Sequence, residues 1–103
     1  MTAMAADCTD ILKALADRTR QRLVRALIEK DLGVNALSEQ LGISQYNTSK
    51  HLRVLKQAGI VDVRPAAQRR EYFIAPVFRN RLDREGALLD FGCCSFRVDQ
   101  LPA

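Results

Sequence analysis

The feature that most constrains the fold is a pair of short helices joined at a glycine. Asn35 is a plausible N-cap for a first helix over residues 36–41, and Gly42 readily adopts the left-handed conformation of a tight turn. Ser44 is a plausible N-cap for a second helix that extends to Gln57. This arrangement lays the second helix across the first and predicts a helix-turn-helix unit.

The second helix has one apolar and one polar face. Thr48, Leu52 and Leu55 recur at helical spacing and are predicted to point inward. The outward residues are polar or basic and can bind base edges and phosphates in a major groove. They are Ser44, Gln45, Asn47, Ser49, Lys50 and Arg53.

Beyond Gly59 the period changes from helix to strand. Residues 60–63 and 72–74 are rich in β-branched and aromatic side chains, and the stretch 64–70 between them is polar and turn-forming. The pattern predicts a β-hairpin beside the second helix. The arginines predicted at its loop are Arg64, Arg69 and Arg70.

Apolar periodicity predicts further helices on both sides of this unit. They cover residues 9–16, residues 18–30 with Asp17 as N-cap, and residues 77–91. The anchors of the last helix are Phe78, Leu82, Leu88 and Leu89. The fold class is therefore mostly α (α+β), a winged helix-turn-helix with about five helices and a two-stranded wing. We expect residues 1–91 to form this domain and residues 92–103 a tail.

A polar helix beside a basic hairpin favours double-stranded DNA as the partner. The 16 Lys and Arg against 12 Asp and Glu, a net charge of +4, agree with a polyanionic partner. Two alternatives remain, a merely solvated helix and a winged helix that binds another protein through its hairpin. An enzyme is disfavoured, because the sequence has no glycine-rich phosphate loop and no nucleophile–base signature.

Three segments resemble the ArsR/SmtB family of winged-helix repressors. They are LKALADRTRQRLVRAL at residues 12–27, LGISQ at 41–45 and SKHLRVLKQAGIV at 49–61. The resemblance covers roughly residues 11–74. It implies a homodimer that represses transcription at a near-palindromic operator, plausibly its own, and an effector that releases it.

The resemblance also implies which residues serve these roles. Residues 10–15 and 78–89 fall on the first and last helices, which form the family's dimer interface. Arg18, Tyr46, Thr48 and Gln68 depart from the residues usual in the family. Together with the polar face, the resemblance gives these predicted DNA contacts: Ser44, Gln45, Asn47, Thr48, Ser49, Lys50, His51, Arg53, Arg64, Arg69 and Arg70.

The family's common metal sites are not expected here. Gly33 and Asn35 occupy the positions of the Cys-x-Cys pair that senses arsenite, and the predicted last helix contains no His for a zinc site. Cys8, Cys93 and Cys94 remain as effector candidates.

The three cysteines allow three interpretations. Their sulfurs could share arsenite or another thiophilic metal ion, Cys8 could pair with Cys93 or Cys94 in a redox switch, or all three could be small buried residues. No other cofactor is predicted. An odd cysteine count, no signal peptide and no apolar run of about 20 residues predict a cytoplasmic protein without a membrane partner.

Overall fold

The structure is a computed structural model that describes residues 7–103, so the opening of the chain, residues 1–6, lies outside the described residues. Its elements follow in this order: α1 (Cys8–Leu15), α2 (Arg18–Glu29), α3 (Val34–Leu41), α4 (Gln45–Gln57), β1 (Val61–Ala66), β2 (Arg69–Ile74), α5 (Pro76–Arg79), β3 (Leu88–Asp90), β4 (Ser95–Arg97) and a single 3-10 turn (Val98–Gln100). The predicted winged helix-turn-helix is confirmed.

Two predicted helix starts are confirmed by their caps. The Asp17 carboxylate accepts from the Arg20 backbone N–H at 3.0 Å, and the Ser44 hydroxyl oxygen accepts from the Asn47 backbone N–H at 3.0 Å. The predicted cap at Asn35 is wrong, because α3 begins at Val34 with Gly33 as its N-cap. Gly42 ends α3 in the left-handed region, with φ at +71°.

The core lies between α2, α3 and α4. Its fully buried side chains include Leu23, Leu27, Leu37, Leu52 and Leu55. On α1 the inward positions are Ile11, Ala14 and Leu15, whereas Leu12 is 49% exposed. This leucine-rich core fixes the orientation of α4 relative to the body.

The wing is tighter than the sequence predicted. Strands β1 and β2 pair from Val61–Ile74 to Ala66–Arg69, so the turn itself is only Ala67 and Gln68. The predicted loop over 64–70 is wrong, and its arginines lie on the strands. Reciprocal backbone hydrogen bonds of 3.2 and 2.8 Å between Leu32 and Tyr72 fix the wing to the linker before α3.

The predicted last helix over 77–91 is wrong. Helix α5 ends at Arg79, and β3 and β4 then form a second antiparallel hairpin. The Asp83 carboxylate accepts from the Ala87 backbone N–H at 2.7 Å, and Gly86 has a φ of +69°. These features form a turn where a helix would have to continue.

The C-terminal segment, residues 76–103, is fastened to α2 by arginines. Arg79 donates to the carbonyl oxygens of Leu27 and Ile28 at 2.9 and 2.8 Å. From α2, Arg22 and Arg25 donate to carbonyl oxygens at the end of the chain, those of residues 103 and 101. Across residues 7–103, none of the helices is long and apolar enough to cross a membrane.

Candidate nucleic-acid interface

Helix α4 is held to the core along one face only. Thr48, Leu52 and Leu55 are fully buried, and the Thr48 hydroxyl donates to the Ser44 carbonyl oxygen at 2.8 Å. Thr48 was among the predicted DNA contacts, and this prediction is wrong because its side chain has no access to solvent. Its hydroxyl is instead satisfied within the first turn of the helix.

The opposite face of α4 is open to solvent. Its exposed residues are Ser44, Gln45, Tyr46, Asn47, Ser49, Lys50 and Arg53. Among residues 7–103, no protein group hydrogen-bonds to the side chains of Gln45, Asn47, Ser49, Lys50 or Arg53. We call this the outward face. Its donors and acceptors remain available for a ligand, as recognition of base edges and phosphates requires.

His51 lies at the margin of the outward face and is half-buried. Its Nδ1 is 3.1 Å from Nη1 of Arg20. Because a guanidinium only donates, Nδ1 is the acceptor in this contact and Nε2 is the ring nitrogen that carries a proton. Arg20 also donates to the carbonyl oxygens of Ala14 and Lys13 at 2.6 and 3.3 Å. Arg20, which the sequence did not single out, therefore joins α4 to the end of α1.

Asp17 completes this junction between α1, α2 and α4. Its carboxylate is 3.9 Å from the Arg20 guanidinium. Burial alone would raise the pKa of Asp17, but the Arg20 backbone N–H and the Arg20 charge outweigh it, and the pKa is lowered. The carboxylate therefore stays ionised at neutral pH and supports both the helix cap and Arg20.

The wing arginines fall into two groups. Arg64 pairs with Asp31 at 2.7 Å and Glu71 at 3.2 Å, and its guanidinium carbon lies 4.9 Å from the centre of the Phe73 ring. The hydrogen bond to Asp31 is the largest cause that raises the pKa of Arg64. Arg64 therefore fastens the wing to the linker before α3, a role that differs from the predicted DNA contact.

The second group, Arg69 and Arg70, is exposed beside the turn of the wing. In the described part of the chain neither has a carboxylate within ion-pair distance. A recess of about 460 Å³ lies between them, the start of α3 and Ser49 of α4. The wing and α4 therefore border the same opening.

Gly33 allows the wing to approach this closely. A Cβ at this position would lie 2.9 Å from the Arg70 carbonyl oxygen, which is closer than real Cβ contacts. The role of Gly33 is to let the backbone of β2 pack against the start of α3.

The structure pairs two of the three cysteines, which is one of the three interpretations that the sequence left open. Cys8 and Cys93 form a disulfide, with their Cα atoms 5.6 Å apart, whereas Cys94 is free and half-buried against the core. Burial raises the pKa of the Cys94 thiol, and the negative charge of Asp90 adds to this. Residues 7–103 contain no group of three His, Cys, Asp or Glu side chains placed to hold a metal ion.

The comparisons with known proteins agree with this geometry. A helix-turn-helix domain family matches residues 15–64. An HTH-type transcriptional regulator of Mycobacterium tuberculosis is 42% identical over 76 residues, which cover 70% of this chain and 71% of that protein. The biofilm growth-associated repressor of Xylella fastidiosa is 38% identical over 64 residues, 62% of this chain and 56% of that repressor, so the chain spans just over half its length.

A solved structure extends the similarity to the fold. The homodimeric winged helix-turn-helix DNA-binding domain of a possible ArsR-family regulator from Mycobacterium bovis matches with a TM-score of 0.67 and 30% identity, over 72% of this chain and 68% of that chain. The sequence identity to these relatives, the wing and the outward face lead to one conclusion. The chain belongs to the ArsR/SmtB family of winged helix-turn-helix proteins and is a sequence-specific DNA-binding transcriptional regulator.

Proposed function

We propose that this protein is a cytoplasmic, homodimeric repressor that binds its own near-palindromic operator through the outward face and the tip of the wing. One observation carries the proposal: apart from the Ser44 cap, the polar and basic side chains of the outward face are exposed and have no hydrogen-bond partner among residues 7–103, while the helix beneath them is anchored by three fully buried residues. A rigid helix with free donors and acceptors suits the major groove.

The side chains divide the work of binding by their chemistry. Gln45 and Asn47 carry amides that hydrogen-bond to base edges, so we assign them sequence readout. Lys50 and Arg53 on α4 are assigned to phosphates, as is the wing pair Arg69 and Arg70. Ser44, Ser49 and His51 complete the contacts, with the Nε2 proton of His51 available to a phosphate oxygen.

A homodimer would place two such faces on one duplex. The relative from Mycobacterium bovis is homodimeric. Because α5 is only one turn long, we propose that the interface uses α1 and the C-terminal segment, where Leu12 and Leu88 are exposed apolar side chains that a second copy would cover. Two recognition helices about 34 Å apart would then bind adjacent turns of a near-palindrome.

We propose an oxidant as the effector, because Cys8 and Cys93 are within disulfide distance. Each thiol gives up a proton, and the pair gives two electrons to a peroxide. The S–S bond forms as the O–O bond breaks, and the peroxide leaves as two molecules of water or as an alcohol and water. The bond ties α1 to the C-terminal segment beside the proposed dimer surface. Disulfides in cytosolic proteins are mostly catalytic or redox-sensing, which favours this assignment.

The test of DNA binding is a selection from a randomised duplex library with the reduced full-length protein. We expect one enriched, near-palindromic sequence whose binding weakens steeply with salt and depends on Lys50 and Arg69. A wing that docks on another protein would enrich no sequence. Absence of enrichment from the reduced dimer would contradict operator binding.

The redox test compares the reduced and peroxide-treated protein on the selected duplex. We expect oxidation to lower the affinity, and Cys8→Ser to abolish that response. Cys94→Ser is the matched control and should respond like the wild type. Equal affinities before and after quantitative formation of the Cys8–Cys93 disulfide would disprove the redox assignment without affecting operator binding.

A further inference from the structure

Tyr46 occupies the centre of the outward face. At 100° per residue, Lys50 and Arg53 follow it at i+4 and i+7 on one line, whereas the buried Thr48 and Leu52 lie on the opposite side of α4. The side chain of Tyr46 is 76% exposed. The residue at the centre of such a face extends farthest from the body of the protein.

Nothing in the described chain accounts for this aromatic ring as a structural element. The ring contacts among residues 7–103 join Phe78 to Phe91 and Phe91 to Phe96, far from α4 in the sequence. Tyr72, by contrast, is half-buried and packs against the core. Tyr46 therefore presents its apolar ring to solvent between amide and cationic side chains.

We propose that Tyr46 is a specificity-determining residue whose ring packs against the C5-methyl group of a thymine in the major groove. The inference rests on the proposed operator binding. In the major groove only thymine offers a methyl group, and apolar side chains recognise it by contact. The neighbouring Gln45 and Asn47 amides bind hydrogen-bonding edges, so Tyr46 adds a contact that these amides cannot supply.

The experiment replaces each thymine of the selected operator with deoxyuridine, which removes only the C5-methyl group. Binding is measured by fluorescence anisotropy for the wild type, Tyr46→Ala and Tyr46→Phe. Gln57→Ala is the matched control, because Gln57 is exposed at the far end of the same helix and is not part of the outward face. All four proteins are compared by circular dichroism to confirm the same fold.

We expect at least one thymine in each half-site whose replacement weakens wild-type binding about fourfold, the effect of one buried methyl-sized group. Tyr46→Ala should lose this sensitivity, while Tyr46→Phe and Gln57→Ala should keep it. These results would support the proposal, because the phenylalanine variant keeps the ring and lacks only the hydroxyl.

Two results would overturn it while leaving operator binding intact. Either every thymine replacement affects the wild type and Tyr46→Ala equally, or Tyr46→Phe loses the sensitivity together with Tyr46→Ala, which would assign the contact to the hydroxyl group. If the wild type enriches no sequence at all, operator binding itself fails and the assignment of Tyr46 fails with it.

Discussion

Two regions of this protein use basic side chains in opposite ways. Four basic side chains on the outward face and at the wing tip are exposed and have no hydrogen-bond partner among residues 7–103. They are those of Lys50, Arg53, Arg69 and Arg70. Around the C-terminal segment three arginines instead donate to backbone carbonyl oxygens, namely Arg22, Arg25 and Arg79.

This difference shows that net charge does not locate a nucleic-acid site. A guanidinium bound to a carbonyl oxygen or a carboxylate already has its donors occupied, and a phosphate would have to displace those contacts. Arg64 shows this within the wing, since Asp31 and Glu71 hold it while Arg69 and Arg70 have no carboxylate partner in the described part of the chain. The partners of a basic residue, more than its presence, indicate its role.

The largest expected effect tests the buried core on which both regions pack. Leu52→Ala removes a fully buried side chain beneath the outward face and should lower the free energy of unfolding by about 2–5 kcal/mol. Urea denaturation measures the loss. Tyr46→Ala is the control, because Tyr46 lies on the same helix and is 76% exposed. Equal, small effects would mean that α4 is not anchored as described.

Arg79→Ala tests the structural role of the arginines that join the C-terminal segment to α2. It removes two hydrogen bonds to Leu27 and Ile28, and we expect the free energy of unfolding to fall by about 2 kcal/mol. Arg84→Ala, at an exposed position, should change it little. DNA affinity of the folded variant should be unchanged; a large loss of affinity would break the distinction between the two regions.

Lys50→Ala tests an exposed basic side chain of the outward face. We expect binding to all sequences to weaken several-fold and the salt slope of binding to fall by about 1, with stability altered by less than about 0.5 kcal/mol. Anisotropy titrations at several salt concentrations measure both. Lys30→Ala, an exposed lysine after α2, is the control. An unchanged salt slope would remove Lys50 from the interface.

The smallest effect concerns the Asp17 junction. Because the folded-state pKa of Asp17 is lowered, its carboxylate stabilises the fold above the unfolded pKa of about 4, and this stabilisation is lost as the pH falls through the folded pKa. Asp17→Asn should cost less than about 1 kcal/mol at pH 7. Thermal unfolding should show the difference vanish in strong acid; a constant difference would contradict the assignment.

The DNA-binding half of the molecule could be predicted because local signals agree there. The caps at Asp17 and Ser44, the turn at Gly42 and the buried leucines all favour the same helices, and the structure confirms them. What the sequence could not reveal was which polar groups pair in space. The Asp31–Arg64 and Arg20–His51 contacts join residues more than thirty positions apart in the chain.

The C-terminal segment was mispredicted because its apolar residues fit two periods. Phe78, Leu82 and Leu89 have helical spacing, yet residues 88–91 alternate between exposed and buried, as a strand does. Gly86 and the turn at Asp83 decide in favour of the strand period over the helical one. Giving more weight to Gly86, and to the alternation that follows it, would have favoured the hairpin.

The central claim is that DNA binds the outward face and the wing tip. The arginines that hold the C-terminal segment to α2 are left undisturbed. Backbone amide chemical shifts of the reduced protein, recorded with and without the selected duplex, test it most directly. We predict that the largest changes fall in residues 44–53 and 67–70, with little change at Arg22, Arg25 and Arg79. Changes concentrated around those three arginines, with α4 unaffected, would contradict the account.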